Sequence, residues 1–411
     1  MRRHLTLRGL VLTAAMVPMA FGAAVALRPS TVSACGGTFC SNSPIVQNAE
    51  RVLFLKRPGD PRTTAVVQIQ AQGNDPDFAW VVPLDSIPED IHEEPSNTFN
   101  QLDQTTSPTY LFFGGGRFTV GSSGGGFGCG SSDSLGAAPS NAEERSSGVR
   151  VWAQGETGNY AFSVVSSEDP AALRQWLDNN RYITPPEALP IIREYVEEHK
   201  YFLAVRLRSV QGVPSFLVAP LAFTYQGRGP CVPLRLTRIA TTPTLPIISY
   251  VVSDRRAVPV NFAQTTVPDA EVARLGPMRF STAGGPGSLS AYDGLVRDAV
   301  TEAGGRAWIT EYAGDLPDGV RESLSPALQA QLPAAPYLTR MYTTISASAM
   351  DRDPEFVFAA GLPDVSNVHD LSAYADRGSM IDGRFLGLSS LAGALGALVA
   401  RRRRRRAEQA G

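Results

Sequence analysis

The sequence has few of the side chains that build metal centres. It contains four histidines and four cysteines in 411 residues. The three histidines beyond the N-terminal segment (His92, His199 and His369) stand in no ligand-like spacing with one another or with a cysteine. Zinc sites need closely spaced ligands of these types. The Gly-rich tract at 114–126 is not followed by Gly-Lys-Ser/Thr, which excludes a phosphate loop. We therefore expect no metal ion and no cofactor.

Basic residues are also scarce in the body of the chain. Ten of the 37 basic residues lie in residues 1–34 and 401–406, which leaves 27 basic and 38 acidic side chains between them, a net charge of −11. Only Lys56 and Lys200 are lysines, which we attribute to codon bias. Binding to nucleic acid needs a basic surface. The composition therefore predicts an acidic, solvated surface and no nucleic-acid partner.

Recognisable catalytic motifs are missing as well. The residues GSSGG at 121–125 match the nucleophile-elbow pattern around Ser123, but here they lie in a Gly/Ser tract. That motif needs a strand before the serine and a helix after it. His92 is followed by two glutamates but by no second histidine of a zinc-protease helix. We assign no catalytic residue from motifs.

Targeting signals occupy the N-terminal end. Residues 1–34 combine a basic start, an uncharged apolar run at 9–27 and small residues at 32–34. This is the pattern of a signal peptide cleaved after Ala34. The residues VSAC at 32–35 also fit a loose lipobox, so lipidation of Cys35 stays open. Arg2 and Arg3 partly match a twin-arginine signal.

The C-terminal end has the pattern of a membrane anchor. Residues 385–400 carry no charge and are followed by arginines at 401–406, which predicts a single-pass transmembrane helix with a basic cytoplasmic tail at 401–411. At ~1.5 Å per residue the run spans about 24 Å, less than a ~30 Å hydrocarbon core, and snorkelling arginines cover the difference. We expect the membrane to be a partner through this helix. Residues 35–380 are then an exported domain in the periplasm or at the cell surface.

All four cysteines, Cys35, Cys40, Cys129 and Cys231, lie beyond the cleavage point and therefore in an oxidising compartment. An even number predicts two disulfides, with three connectivities open. We favour Cys35–Cys40 together with Cys129–Cys231, because the first pair is local in sequence. A metal site is the rejected alternative.

Hydrophobic patterns and turn signals predict an α+β fold of β-hairpin-rich sheets with a helix pair, besides the N-terminal signal helix and the C-terminal transmembrane helix. A turn at 57–61 joins strands at 51–56 and 64–70, and a turn at 155–158 joins strands at 149–152 and 160–165. One helix begins after Asp169 as N-cap, a second follows residues 184–187, and a third covers about 290–303. A flexible Gly/Ser-rich loop is predicted at about 113–141. Further strands are predicted at 78–84, 201–208, 216–225, 231–239, 247–252 and 308–312.

Several strings resemble a known family. They are ACGGTFCSN at 34–42, DFAWVVP at 77–83, YFLAV at 201–205, PLRLT at 233–237, RAVP at 256–259, WITEYA at 308–313 and TRMYTT at 339–344. Together they resemble the domain-of-unknown-function family 2330, exported bacterial envelope proteins of the myxobacterial type. The resemblance covers nearly the whole exported segment. It implies a periplasmic or surface location and supplies no catalytic residues.

The function expected from the sequence is therefore broad. We expect an exported, membrane-anchored envelope protein with a binding or structural role. The alternative is a hydrolase in which Cys35, exposed by cleavage, acts as an N-terminal nucleophile with its own amine as base. A Cys35–Cys40 disulfide would remove that nucleophile. The four tryptophans lie in strand or helix patterns and are interpreted as core residues.

Overall fold

Two large β-sheets dominate the fold, which confirms the predicted α+β class. The computed structural model describes residues 37–40, 46–72, 78–112, 116–120, 144–146, 148–182, 184–207, 219–227, 229–239, 241–280 and 287–374. The first sheet, sheet A, consists of β1 (Gly37–Cys40), β4 (Phe78–Leu84), β8 (Glu144–Ser146), β9 (Val149–Thr157), β10 (Tyr160–Ser167) and β11 (Tyr201–Leu207). Its strand order is β1-β4-β11-β10-β9-β8, and its pairings are antiparallel.

The second sheet, sheet B, has more strands than sheet A among the described residues. It consists of β2 (Val46–Leu55), β3 (Arg62–Gln72), β5 (Glu89–Glu93), β12 (Leu221–Gln226), β13 (Thr244–Ser253), β15 (Ala263–Thr265), β16 (Ala307–Asp315) and β17 (Tyr337–Ser346). The order is β15-β16-β17-β13-β2-β3-β12-β5. The pairs β13–β2 and β15–β16 are parallel, and the other pairs are antiparallel.

Smaller elements surround the two sheets. Two short sheets pair β14 (Arg256–Pro259) with β18 (Phe356–Ala359), and β6 (Thr109–Phe112) with both β7 (Gly116–Thr119) and β19 (Val368–Asp370). The helices are α1 (Asn97–Thr106), α2 (Pro170–Asn179), α3 (Ala188–Glu197), α4 (Leu234–Thr237), α5 (Asp269–Phe280), α6 (Gly287–Glu302), α7 (Val320–Ser323) and α8 (Pro326–Gln329). Short 3₁₀ turns cover Ala347–Ala349 and Ser372–Tyr374.

The two large sheets pack face to face. Val52 and Phe54 of β2 belong to the same buried cluster as Trp80 and Val82 of β4. Side chains of a strand alternate between its two faces. Alternate residues of both strands therefore fill the layer between the sheets, which forms the central core.

Helices cover the outer face of each sheet. Leu53 of β2 packs with Phe99 of α1 on the outer side of sheet B. Val81 of β4 packs with Leu173 of α2 on the outer side of sheet A. The result is four layers in the order helix, sheet, sheet, helix. Burial on both faces explains why these strands are continuously apolar in the sequence.

Local signals in the sequence are confirmed where they act over short distances. β2 and β3 form the predicted antiparallel hairpin, with Gly59 in its turn at a φ of +73° that favours glycine. The Asp169 side chain caps α2 by accepting a hydrogen bond from the Ala171 N–H at 2.8 Å, and Pro170 is the first helical residue.

One predicted strand and one predicted turn need correction. The strand predicted at 231–239 is wrong, because Leu234–Thr237 forms α4. The Asp353 carboxylate accepts hydrogen bonds from the N–H groups of Leu234 at 2.7 Å and Arg235 at 2.9 Å, so a residue more than a hundred positions away caps this helix. The second hairpin turns at Gly158 and Asn159, so residues 155–157 of the predicted turn belong to β9 instead, where Gly155 pairs with Phe162 inside the ladder.

Parts of the predicted organisation lie outside the described residues. These parts are the signal peptide, most of the Gly/Ser-rich loop and the anchor at 385–400. Of the predicted loop the structure describes residues 116–120, and there Gly116–Thr119 forms β7, paired with β6, instead of a loop. Among the helices that the structure describes, none is long and apolar enough to cross a bilayer.

Candidate functional site

An open cleft of about 350 Å³ lies at one end of sheet A. It is formed where β9 begins, β10 ends and β11 begins. Its wall includes aromatic, cationic and hydroxyl side chains, among them Arg150, Trp152, Ser166, Glu168, Lys200 and Tyr201. Small-molecule sites in proteins have volumes of roughly 300–1,000 Å³. The cleft therefore has the size of a site for a small ligand.

A β-bulge places Trp152 at this cleft. In the ladder of β9 and β10, Val151 pairs with Val165 and Ala153 pairs with Val164, so Trp152 is the extra residue on its strand. The bulge reverses the alternation of β9: Val151 packs on the helix side of sheet A, and Ala153 packs on the central core. Bulges commonly redirect a side chain beside a functional site.

The indole ring of Trp152 is held on two sides. Its Nε1–H donates a hydrogen bond to Ser166 Oγ at 2.9 Å. Its ring meets Tyr201 edge to face, with 5.6 Å between the centroids and an interplanar angle of 67°. A buried or half-buried indole usually needs a partner for its N–H, and this one has a partner within the cleft wall. The ring is therefore fixed before any ligand arrives.

Two cationic residues line this cleft. The Arg150 guanidinium carbon is 3.6 Å from the centroid of Trp152, a cation–π contact. Lys200 is only 5 % exposed, and its ammonium forms an ion pair with Asp85 at the end of β4. A buried lysine is rarely tolerated without such a partner. Both cations therefore have defined positions in the wall.

Unusual backbone conformations shape the rim. Gly148 has a φ of +90°, and a Cβ at this position would lie 2.9 Å from the Ala172 Cβ. Its carbonyl accepts a hydrogen bond from Ser167 Oγ at 2.7 Å. His199 has a φ of +56° where α3 turns into β11, and its side chain is exposed. The positive φ favours glycine at the first turn, and His199 at the second turn is among the residues that line the cleft.

The two serine hydroxyls of the cleft are hydrogen-bonded within its wall. Ser166 Oγ accepts the indole hydrogen bond, and Ser167 Oγ donates to the Gly148 carbonyl. Neither hydroxyl has a hydrogen bond to a histidine among the described lining residues, so no nucleophile and base are paired here. The wall offers an arginine stacked on an indole ring and a second aromatic ring beside it.

A second polar cluster lies between sheet B and helix α1, but it is closed to ligands. Arg340 donates to Asp103 at 3.0 Å and to Glu311 at 2.7 Å, and Arg51 donates to Asp103 at 2.6 Å. Burial raises the pKa of Tyr250 well above its usual value, so its hydroxyl stays protonated and donates to Asp103. These charged side chains are 1–9 % exposed, which makes the cluster structural.

The residues singled out in the sequence do not meet in the cleft. Cys231 is 6 % exposed and lies in the central core. Cys40 is the last residue of β1, while Cys35 and Cys129 lie outside the described residues, so the disulfides and the Cys35 nucleophile stay predictions. In the described ranges no group of three His, Cys, Asp or Glu side chains could hold a metal ion.

The histidines are separated from one another in the fold. The His92 ring contacts Glu94 at 2.8 Å, and His369 contacts Asp269 at 2.9 Å. His199 alone of the three lines the cleft.

Sequence reasoning missed the residues that build the cleft. Trp80, Trp176 and Trp308 are at most 8 % exposed, as expected of core residues, but Trp152 is half-buried and lines the cleft. No local pattern reveals the bulge that sets it apart. Lys200 did carry a signal, because it is one of two lysines in the chain, yet that scarcity was attributed to codon bias.

Comparison with known proteins identifies a family without adding an activity. A model of the family described as "Uncharacterized protein conserved in bacteria (DUF2330)" matches residues 29–357, which include all the cleft residues named above. Searches of curated proteins and of solved structures find no match. The match covers about four-fifths of the chain and agrees with the resemblance seen in its motifs. This chain therefore belongs to the DUF2330 family of bacterial proteins.

Proposed function

We propose that this protein is exported to the bacterial envelope, is held there by its C-terminal segment, and binds a small ligand in the cleft around Trp152. The observation that carries the binding role is the fixed arrangement of Arg150 over Trp152 in a cleft of about 350 Å³. A site whose side chains are already positioned loses less entropy on binding.

The sequence supports the location. The basic start, the apolar run and the small residues before Cys35 are typical of an export signal. The uncharged run at 385–400 and the arginines after it are typical of an anchor with its basic side in the cytoplasm. In this arrangement the cleft faces the periplasm or the cell surface, where it meets molecules outside the cytoplasm.

The binding role is tested with the protein's own fluorescence. Full-length protein is screened against a fragment library, and hits are identified by a change in tryptophan emission. Trp152→Phe keeps an aromatic ring in the cleft but removes the reporter, so the emission change should disappear in this variant. Trp176→Phe, in helix α2 and outside the cleft, is the matched control and should keep the change.

Two results would contradict the proposal. Hits whose emission change persists in Trp152→Phe bind elsewhere, and a screen without hits argues against a ligand site. Thermal unfolding of both variants checks that each is folded.

A further inference from the structure

We infer that the outer face of the small sheet formed by β14 and β18 lies against the surface of the membrane that holds the protein. This inference rests on the proposed anchoring by the C-terminal segment and does not depend on a ligand in the cleft. It is carried by the grouping of exposed apolar side chains, by the small area that they offer, and by the short stretch of chain before the predicted anchor.

The first argument is where the exposed apolar side chains lie. Among the described residues, the exposed large hydrophobic side chains are those of Val260, Val357, Leu362 and Val368, which are 42–53 % exposed. A single exposed side chain of this kind is ordinary on a protein surface. Three of these four lie within residues 357–368, and Val260 directly follows β14, the strand that pairs with β18. Such a grouping is typical of a surface that meets an apolar partner.

The pairing of β14 with β18 gives the small sheet one buried face and one apolar outer face. Ala257 and Phe356 belong to the central core. Side chains alternate along a strand, and directly paired residues share a face. Val258 pairs with Val357, so these two side chains and Val260 lie on the opposite, outer face. The solvated face of an antiparallel sheet normally carries polar side chains, so this outer face is unusual.

Leu362 extends the same surface. The Arg256 side chain, which lies two residues before Val258 and on the same face of β14, donates a hydrogen bond to the Pro363 carbonyl at 3.0 Å. This contact holds the neighbouring Leu362 at one end of the outer face. The surface, which we call the apolar patch, consists of Val258, Val260, Val357 and Leu362.

The second argument is the size of the apolar patch. A few half-exposed side chains bury far less than the roughly 1,200–2,000 Å² of a stable protein–protein interface. The apolar patch is therefore too small to hold a free protein partner by itself. It suits a partner that is kept close by a covalent link, because a short flexible linker gives an effective concentration in the millimolar range.

The third argument is the tether. The described part of the domain ends at Tyr374, and only residues 375–384 separate it from the uncharged run at 385–400. At ~3.5 Å per residue this stretch reaches at most about 35 Å. A compact domain of about 340 residues has a radius of gyration of about 20 Å, so the tether keeps the domain at the bilayer and still lets it turn. The bilayer is thus the apolar partner that stays nearest to the patch.

The test uses full-length protein in vesicles of phosphatidylcholine, whose headgroups carry no net charge. The photoreactive amino acid benzoylphenylalanine replaces Val357 in one protein and the exposed Glu89 of β5 in the control. Phe356 packs on Trp308 of β16, and β5 lies six strands from β16 in sheet B, so the control position is far from the apolar patch. After illumination, mass spectrometry measures the lipid adducts. We expect about tenfold or more lipid adduct at position 357 than at position 89.

A pair of variants shows whether apolar contact causes the effect. The photoreactive residue now replaces Leu362. Val260→Ser combined with Val357→Ser removes much of the apolar surface, so the lipid adduct should fall about threefold or more. Val260→Ile combined with Val357→Ile keeps that surface and should leave the adduct unchanged. Both positions are exposed, and thermal unfolding checks that each variant is folded.

Different failures have different meanings. If the protein floats with the vesicles but position 357 gives no more adduct than position 89, the inference is wrong and the anchoring stands. A crosslinked dimer in place of the lipid adduct would show that a second copy covers the patch, which also overturns the inference. The same holds if the serine pair lowers the adduct no more than the isoleucine pair. Protein that does not float with the vesicles contradicts the anchoring, and the inference with it.

Discussion

The guanidinium of Arg340 donates a hydrogen bond to Glu311 over 2.7 Å at a place where the two side chains are only 2 % and 1 % exposed. β17 supplies Arg340, β16 supplies Glu311, and the Tyr292 hydroxyl of α6 donates to the same carboxylate at 2.7 Å. Asp103 of α1 accepts a second hydrogen bond from Arg340. The arginine thus ties two strands of sheet B to a helix of the outer layer.

Replacement of Arg340 by methionine should destabilise the protein by about 3–5 kcal/mol, because it leaves the buried Glu311 without its cation and leaves Asp103 with Arg51 alone. The control is Arg306→Met, which removes a surface pair with Asp351 whose side chains are 34 % and 39 % exposed. That change should cost less than about 1 kcal/mol. Urea unfolding followed by circular dichroism measures both. If the two substitutions lowered the free energy of unfolding equally, the buried cluster would contribute no more to stability than the surface pair.

A pH-sensitive pair joins His92 of the edge strand β5 to Glu94, the residue that follows the strand. His92 Nε2 lies 2.8 Å from Glu94 Oε1, and this carboxylate is fully buried and also accepts a hydrogen bond from Ser325 at 2.6 Å. The hydrogen bond with Glu94 raises the pKa of His92 above its usual value. The protonated histidine is therefore favoured in the folded protein.

The pair should stabilise the fold below the pKa that His92 has in the unfolded chain, about 6.5. This contribution is lost as the pH rises through the higher pKa of the folded state. We expect the stability difference between wild type and His92→Gln to shrink between about pH 6 and pH 8. Urea unfolding at several pH values measures this difference. A difference that stays constant across the range would contradict the assignment.

Deletion of residues from 385 onward should release the domain into the soluble periplasmic fraction, because the deletion removes the uncharged run and its arginines. Deletion of residues 407–411 alone leaves both features intact, and this control should remain in the membrane fraction. Fractionation followed by immunoblotting measures the outcome. If the longer truncation stays in membranes, the anchor is elsewhere, either a lipid on Cys35 or an uncleaved N-terminal helix.

The mature protein should show no reactive thiol before reduction and four after it, because all four cysteines are predicted to lie in an oxidising space. Alkylation must be performed in denaturant, since Cys231 is 6 % exposed and reacts slowly in the folded state. Intact mass reports cleavage and lipidation in the same experiment, and peptide mapping identifies the pairs. Labelling of Cys35 without reductant would favour the N-terminal nucleophile instead.

Short-range signals in the sequence were sufficient for individual elements of the fold. Asp169 followed by Pro170 correctly predicted the start of α2, because a cap acts on N–H groups within one turn. The hairpin around Gly59 was predicted for the same reason, since its turn and its two strands are contiguous. The two ends of the chain carry their signals locally as well, and for this reason export and anchoring can be predicted without the fold.

Contacts between distant residues decided the rest. The Asp353 side chain caps the helix at residues 234–237, and no sequence pattern near Cys231 predicts this contact. Trp152 enters the cleft because a bulge inserts it between two paired positions, and a register shift depends on the partner strand. The lysines Lys56 and Lys200 are both buried, at 9 % and 5 % exposure, which their scarcity in the sequence did not reveal. The sequence alone determined the local elements and the predicted location, whereas the cleft and its lining arise only when β9, β10 and β11 come together in the tertiary structure.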